Sequence, residues 1–177
     1  MTSYQRKLLF FLSVACFFEG YDFLALSQVL PELRATFSLT AAQGGWLVGV
    51  INLGTILAFW VVRRADQNGR RRMLMVTILG YTGCTFATGL SWDVLSFVGF
   101  QLAARVFLIG EWAISMVVAA EEFPSDRRGF VIGLIQAFAS LGSVICAGLT
   151  PLLLHTSYGW RSVYFVGVVP LLLLALW

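Results

Sequence analysis

The feature that most constrains this chain is a recurrence of apolar runs, each about 20 residues long, separated by short polar segments dense in arginine. A bilayer hydrocarbon core about 30 Å thick is crossed by about 20 helical residues. Six such runs can be drawn, at approximately 7–30, 43–62, 73–91, 94–119, 129–154 and 160–177. In lipid every backbone polar group must be satisfied without water, which leaves helices or closed barrels. Runs of this length without strict alternation select helices. The expected fold class is therefore all-α, a polytopic transmembrane six-helix bundle in one domain. Composition agrees: 59% of residues are hydrophobic and 12% charged, about half the charge that a soluble domain carries. The last run reaches only Trp177, so the chain is expected to stop inside or at the end of a helix.

The first run also invites a signal-peptide reading, because Arg6 and Lys7 precede it. Glu19 and Asp22 fall inside that run and no small-x-small cleavage site follows it, so it is read as a retained span. Orientation follows from Lys and Arg placement. With the N-terminus inside, the inner segments hold Arg6, Lys7, Arg63, Arg64, Arg70, Arg71, Arg72, Arg127 and Arg128, and the outer ones Arg34 and Arg161. Nine against two places the N-terminus and both even-numbered loops in the cytoplasm, and the expected location is the cell membrane, the inner membrane in a bacterium. Trp46, Trp60, Trp92 and Trp160 fall at span ends, where an interfacial aromatic belt is expected.

Several classes are disfavoured. Cys16, Cys84 and Cys146 are far apart inside apolar runs and have no metal-ligand spacing, so they read as small buried hydrophobes and no metal or cofactor is expected. No basic stretch is interleaved with polar loops large enough to form a nucleic-acid face. No spaced His cluster, Ser-centred elbow or cofactor loop supports an enzyme. His155 lies in or near an outer loop without an evident acid or metal partner.

Four ionisable residues sit well inside the spans: Glu19, Asp22, Arg105 and Glu111. Each costs about 2.5–3.5 kcal/mol at a helix centre, so each needs a partner or a wet cavity. Glu19 and Asp22 are three residues apart and share a helix face. Asp22 lies about 22 Å from the inner end of its helix, and Arg105 on the antiparallel fourth helix lies at a similar depth. A contact between Arg105 and Asp22 or Glu19 is within geometric reach. One reading is an ion pair that fixes helix 1 against helix 4. The other is a cavity in which Arg105 receives an anionic group while a carboxylate takes up a proton. Three acids against one base favour the second, since a buried carboxylate without a partner is suited to loading and unloading a proton. Glu111, beside Trp112, is either a further protonatable group or a hydrogen-bonded anchor tying helix 4 to a neighbour.

Between the second and third runs comes Arg63-Arg64-Ala65-Asp66-Gln67-Asn68-Gly69-Arg70-Arg71-Arg72. Its Asp, Asn and Gly suit a tight reversal joining two helices, with arginines able to pair with the acid. This stretch resembles the signature loop of the major facilitator superfamily, G-x-x-x-D-R/K-x-G-R/K-R/K: Asp66, Gly69, Arg70 and Arg71 match, with Val62 and Gln67 at the first-glycine and basic positions. Glu19-Gly20-Tyr21-Asp22 is similar to the helix-1 motif of aromatic-acid and sialate proton symporters. Arg105 with Gly110-Glu111-Trp112 resembles helix 4 of metabolite and organic-acid proton symporters. Glu121, Pro124, Arg128 and Gly129 match E-x-x-P-x-x-x-R-G, and Gly159-Trp160-Arg161 with Phe165 resembles the start of helix 6. Helix 5 has no Gly-Pro pair of the kind that marks drug/proton antiporters.

The resemblance implies the N-terminal six-helix half of a fold of two such halves around a central cavity lined by helices 1 and 4, the C-terminal half being absent. It implies proton-coupled symport of a small organic acid or related metabolite, with Arg105 and Tyr21 at the solute and Asp22, Glu19 and Glu111 as proton-coupling groups. Asp66, Gly69, Arg70, Arg71, Glu121 and Arg128 would form a cytoplasmic gate latch. The implied partners are solute, protons, the lipid bilayer and the missing half or a second copy. A non-transporting remnant, an interaction module and half of a sugar transporter remain alternatives.

Overall fold

A computed structural model describes residues 2–169, the side chain of Asn68 excepted. The described residues form six helices: α1 Ser3–Thr36, α2 Ala41–Asn68, α3 Arg70–Gly89, α4 Val94–Glu122, α5 Ser125–Leu154 and α6 Arg161–Val166. Each of the first five begins before or ends beyond its apolar run, because hydropathy registers only the lipid-buried part. Polar caps carry the helices further. Thr2 with Gln5, and Thr40 with Gln43, close reciprocal capping boxes at α1 and α2, and Asp93 with Ser96 does so at α4. Pro124, which has no N–H to leave unsatisfied, precedes α5. Of the expected sixth span, 160–177, helix is described over Arg161–Val166, and positions 170–177 lie outside the described residues.

Among the described residues four helices, α1, α2, α4 and α5, are long and apolar enough to cross a membrane. With 20 residues, α3 has the length, about 30 Å, but three arginines and four threonines dilute its hydropathy. Those threonines do not leave bare hydroxyls: Thr77, Thr82 and Thr88 donate back to the carbonyls of Leu74, Ile78 and Cys84, and Thr85 donates to Asp22. That is how a polar helix is accommodated away from water.

The helices pair mainly as α1 with α5, α3 with α4 and α2 with α4. The α1–α5 crossing is backbone against backbone. A Cβ on Gly20 would overlap the Ala139 carbonyl, and one on Gly142 would overlap the Phe17 carbonyl. Ser143 Oγ adds a hydrogen bond to the Gly20 carbonyl at 2.9 Å. Such small-residue contact is what membrane helices use where lipid offers no hydrophobic drive.

The buried apolar residues fall into two blocks. One gathers Leu8, Phe11, Leu12, Ala15 and Cys16 of α1 with residues such as Ile78, Ile114 and Ile135. The other gathers Tyr21, Ala25, Leu26, Val29 and Leu33 with Phe97, Cys146 and Trp160. Between them on α1 lie Glu19 and Gly20. Trp46, Trp60 and Trp92 are exposed as a belt requires, but Trp160 is buried against Phe97 and Tyr164 and belongs to the core instead.

Gly142→Leu should force the α1–α5 crossing apart and destabilise the bundle by about 1–3 kcal/mol or more. Gly133→Ala, where a Cβ meets nothing within 4 Å, should leave thermal unfolding in detergent almost unchanged.

Candidate functional site

The gap between the two apolar blocks is filled by a polar belt. Glu19 and Asp22 come from α1, Thr85 from α3, Gln101 and Arg105 from α4, and Ser143 from α5; all but Ser143, which is half-buried, are buried. Glu19 and Asp22 are offset by about 60° around α1, and the packing separates them. Asp22 Oδ2 accepts from Thr85 Oγ1 at 3.2 Å, and the same carboxyl lies against Gly167, just after α6. Glu19 instead lines an open groove of about 400 Å³ between α1, α4 and α5. The shared face read from their spacing is thus divided between the bundle interior and an accessible surface.

Arg105 is buried, and no ion pair joins it to either acid among the described residues. Gly54 of α2 leaves room for its aliphatic stem. Its guanidinium carbon sits 4.7 Å from the centre of the Phe23 ring, a cation–π arrangement. Nη1 is buried without a hydrogen-bond partner, and so is Asp22 Oδ1. Glu19 and Asp22 lie within electrostatic range of Arg105. The ion pair that would merely lock helix 1 to helix 4 is not formed.

Phe23, half-exposed, and Trp112 contribute aromatic surface to the groove, with Gln136, Ser140 and Ser143 of α5 as its polar wall. Trp112 Nε1 donates to Gln136 Oε1 at 3.4 Å across it. None of Phe23, Gln136, Ser140 and Ser143 stood out in the sequence reading. A signal was present, since positions 136, 140 and 143 place three polar groups on one face of an otherwise apolar helix.

Tyr21 and Glu111 are each held by a specific hydrogen bond. Tyr21 is buried, and its hydroxyl donates to the Val163 carbonyl at 3.2 Å, so it braces α1 against α6 rather than meeting a solute. Glu111 is fully buried, and its Oε1 accepts from Ser115 Oγ at 2.7 Å on its own helix, while Oε2 has no partner. That hydrogen bond ties Glu111 to its own turn and not to a neighbouring helix.

At the arginine-rich end, the expected reversal over 63–72 is almost wholly helical. Gly69 alone separates α2 from α3, at φ 88° and ψ 124°, a left-handed φ that favours glycine. This joint brings Arg70 to Asp66 at 3.2 Å and to Glu121 of α4. Hydrogen bonding to Glu121 first, and also to Asp66, raises the Arg70 guanidinium above its ordinary value. Gln5 Nε2 adds a bond to the Glu122 carbonyl at 2.9 Å, capping the end of α4. Arg71 lines the same pocket as Arg70 and Glu121. Arg128 does not join the latch: it is exposed in the first turns of α5 and makes no ion pair among the described residues.

Comparison with known proteins gives a consistent family. The family model described as Major Facilitator Superfamily matches residues 12–177. A Haemophilus influenzae protein assigned provisionally to metabolite transport is 35% identical, over 96% of this chain and 42% of its own length. The sialic acid transporter NanX of Escherichia coli is 27% identical over 98% of the chain and 42% of its own. The cis,cis-muconate transport protein of Acinetobacter baylyi is 27% identical over the same shares. The chain thus spans about two-fifths of the length of these relatives. Among solved structures, the proton:xylose symporter XylE superposes with a TM-score of 0.86 at 18% identity, over 98% of this chain and 44% of that one.

Thr85→Val should leave Asp22 Oδ2 without its donor and destabilise the bundle by about 1–3 kcal/mol in thermal unfolding. At the latch, Arg70→Gln should raise hydrogen exchange in the first turns of α3. Asp66→Asn should do so less, because Glu121 still holds Arg70.

Proposed function

We propose a transport function from one premise: the chain belongs to the major facilitator superfamily. As the first half of a transporter, this bundle carries a small organic acid or related metabolite across the cell membrane together with a proton. Its N-terminus faces the cytoplasm, the side to which nine of the eleven Lys and Arg residues assigned above belong. The observation that carries this reading is Arg105, a buried cation with an unsatisfied Nη1 stacked on Phe23, whose ring lines the open groove. Removing a charge from water costs several kcal/mol. A solute carboxylate offsets that cost by a charge-assisted hydrogen bond to the guanidinium. Sialic acid and muconate, named for two of the relatives, are both carboxylic acids.

The three carboxyl groups divide the proton's work. Glu19 faces the groove and is the first to meet solute or water. Asp22, held by Thr85 beside α6, senses changes in the α1–α3–α6 packing. Glu111 lies deeper, within electrostatic range of Glu19. The halves rock about the site, exposing it to each side in turn, and Arg70 with Asp66 and Glu121 holds the cytoplasmic side closed in one of those states.

In vesicles containing the complete transporter with this bundle, Asp22→Asn should abolish accumulation driven by a pH gradient while solute exchange persists. Accumulation equal to that of the unaltered protein would overturn the role of Asp22. Arg105→Gln should raise the half-saturating solute concentration about ten- to a hundredfold, the size of a lost charge-assisted hydrogen bond.

A further inference from the structure

Two adjoining hollows at the arginine-rich end play no part in the solute groove. One, about 440 Å³, is lined by Trp60, Val61, Arg64, Met73, Val76 and Phe107, between α2, α3 and α4. The other, about 200 Å³, is lined by Trp60, Arg63, Arg64 and Gln67. Trp60 and Arg64 belong to both, so the pair forms one apolar trough with a cationic mouth. We infer that this trough binds an anionic phospholipid, its acyl chain along Met73, Val76 and Phe107 and its phosphate between Arg63 and Arg64.

The charges at this end are unequally satisfied. Asp66 and Glu121 are both engaged by Arg70, and Asp126 faces Arg127. Arg63 and Arg64 are exposed and pair with no acid among the described residues. The Arg63 guanidinium rests 5.7 Å from the Trp60 ring, which holds it over the mouth of the trough. The surroundings of the trough suit lipid. Trp60 is exposed, as an interfacial tryptophan is, and α3 turns Val76, Leu79 and Phe86 outward. A phospholipid presents a long apolar chain and an anion at the same depth, whereas a soluble phosphate fills only the arginine end. An anionic headgroup matches better than a zwitterionic one, because Asp66, the sole acid of α2, is committed to Arg70 and leaves no partner for a headgroup ammonium. Each arginine near a membrane surface contributes enough to change affinity about fivefold. The proposal needs only a membrane-embedded bundle and is independent of the solute.

Native mass spectrometry of the purified full chain in detergent tests it, with phosphatidylglycerol, phosphatidylcholine and soluble glycerol 3-phosphate as probes. The expected result is selective retention of phosphatidylglycerol. Arg63→Gln and Arg64→Gln should each weaken retention about fivefold, while Arg63→Lys with Arg64→Lys keeps most of it. Val76→Trp, at a position 42% exposed, should fill the trough and displace the lipid with both arginines still in place. Equal retention of phosphatidylcholine, or unchanged retention in the double glutamine variant or in Val76→Trp, would overturn the lipid site. Glycerol 3-phosphate binding as firmly as the lipid would also overturn it, showing a headgroup-only anion site.

Discussion

The polar belt takes its geometry from the crossing of α1 and α5. Gly20 and Gly142 let the two backbones touch, and no side chain lies between them to act as a bearing. Backbone contact of this kind fixes the rotation of α1 about its own axis as well as its position. Glu19 and Asp22 flank Gly20 in sequence, so the crossing decides where each points. With Gly20 set on Ala139, Glu19 turns to the groove wall formed by α4 and α5, and Asp22 turns to α3 and α6. One close contact thus gives two similar carboxyl groups different environments.

The belt also divides the core. Two apolar blocks hold the helices together on either side of the layer with Arg105, Glu19 and Asp22, while Glu111 is buried near Cys16 and Tyr81 of the first block. Burying Arg105, Glu19, Asp22 and Glu111 in one small bundle is unfavourable by any insertion scale. The blocks provide the packing that tolerates it, and the threonines of α3 supply polar neighbours without exposing hydroxyls to lipid. Orphaned atoms persist on Arg105, Asp22 and Glu111 despite this. Unsatisfied groups of this kind are few in folded proteins, and each calls for an explanation.

Much of the fold was legible because the bilayer imposes a length on every apolar run. The runs at 94–119 and 129–154 fall within α4, Val94–Glu122, and α5, Ser125–Leu154. What the runs missed were the polar extensions of α1 and α2, whose capping by Thr2, Gln5, Thr40 and Gln43 depends on local hydrogen bonding and not on hydropathy. The site was legible in part. Rarity alone singled out Arg105, Glu19, Asp22 and Glu111. Tyr21 was placed at the solute by resemblance, and its hydroxyl reaches a carbonyl on α6 that no sequence spacing reveals. Arg128 matched a motif, yet where an arginine lies relative to acids on α2 and α4 is a tertiary fact. Trp160 was assigned to the interface by its place in the chain, and the aromatic cluster around it set its burial instead.

Gly69 has a further consequence. A connection of one residue has no slack, so α2 and α3 share a register through the joint as two gears share a tooth count. Inserting a single residue there would displace Arg70 relative to α2 and disturb its contacts with Asp66 and Glu121 together. Most loops between helices absorb added length at little cost. This one makes the phase of α3 depend on the phase of α2, so a turn of either helix about its axis is felt at the end of α4.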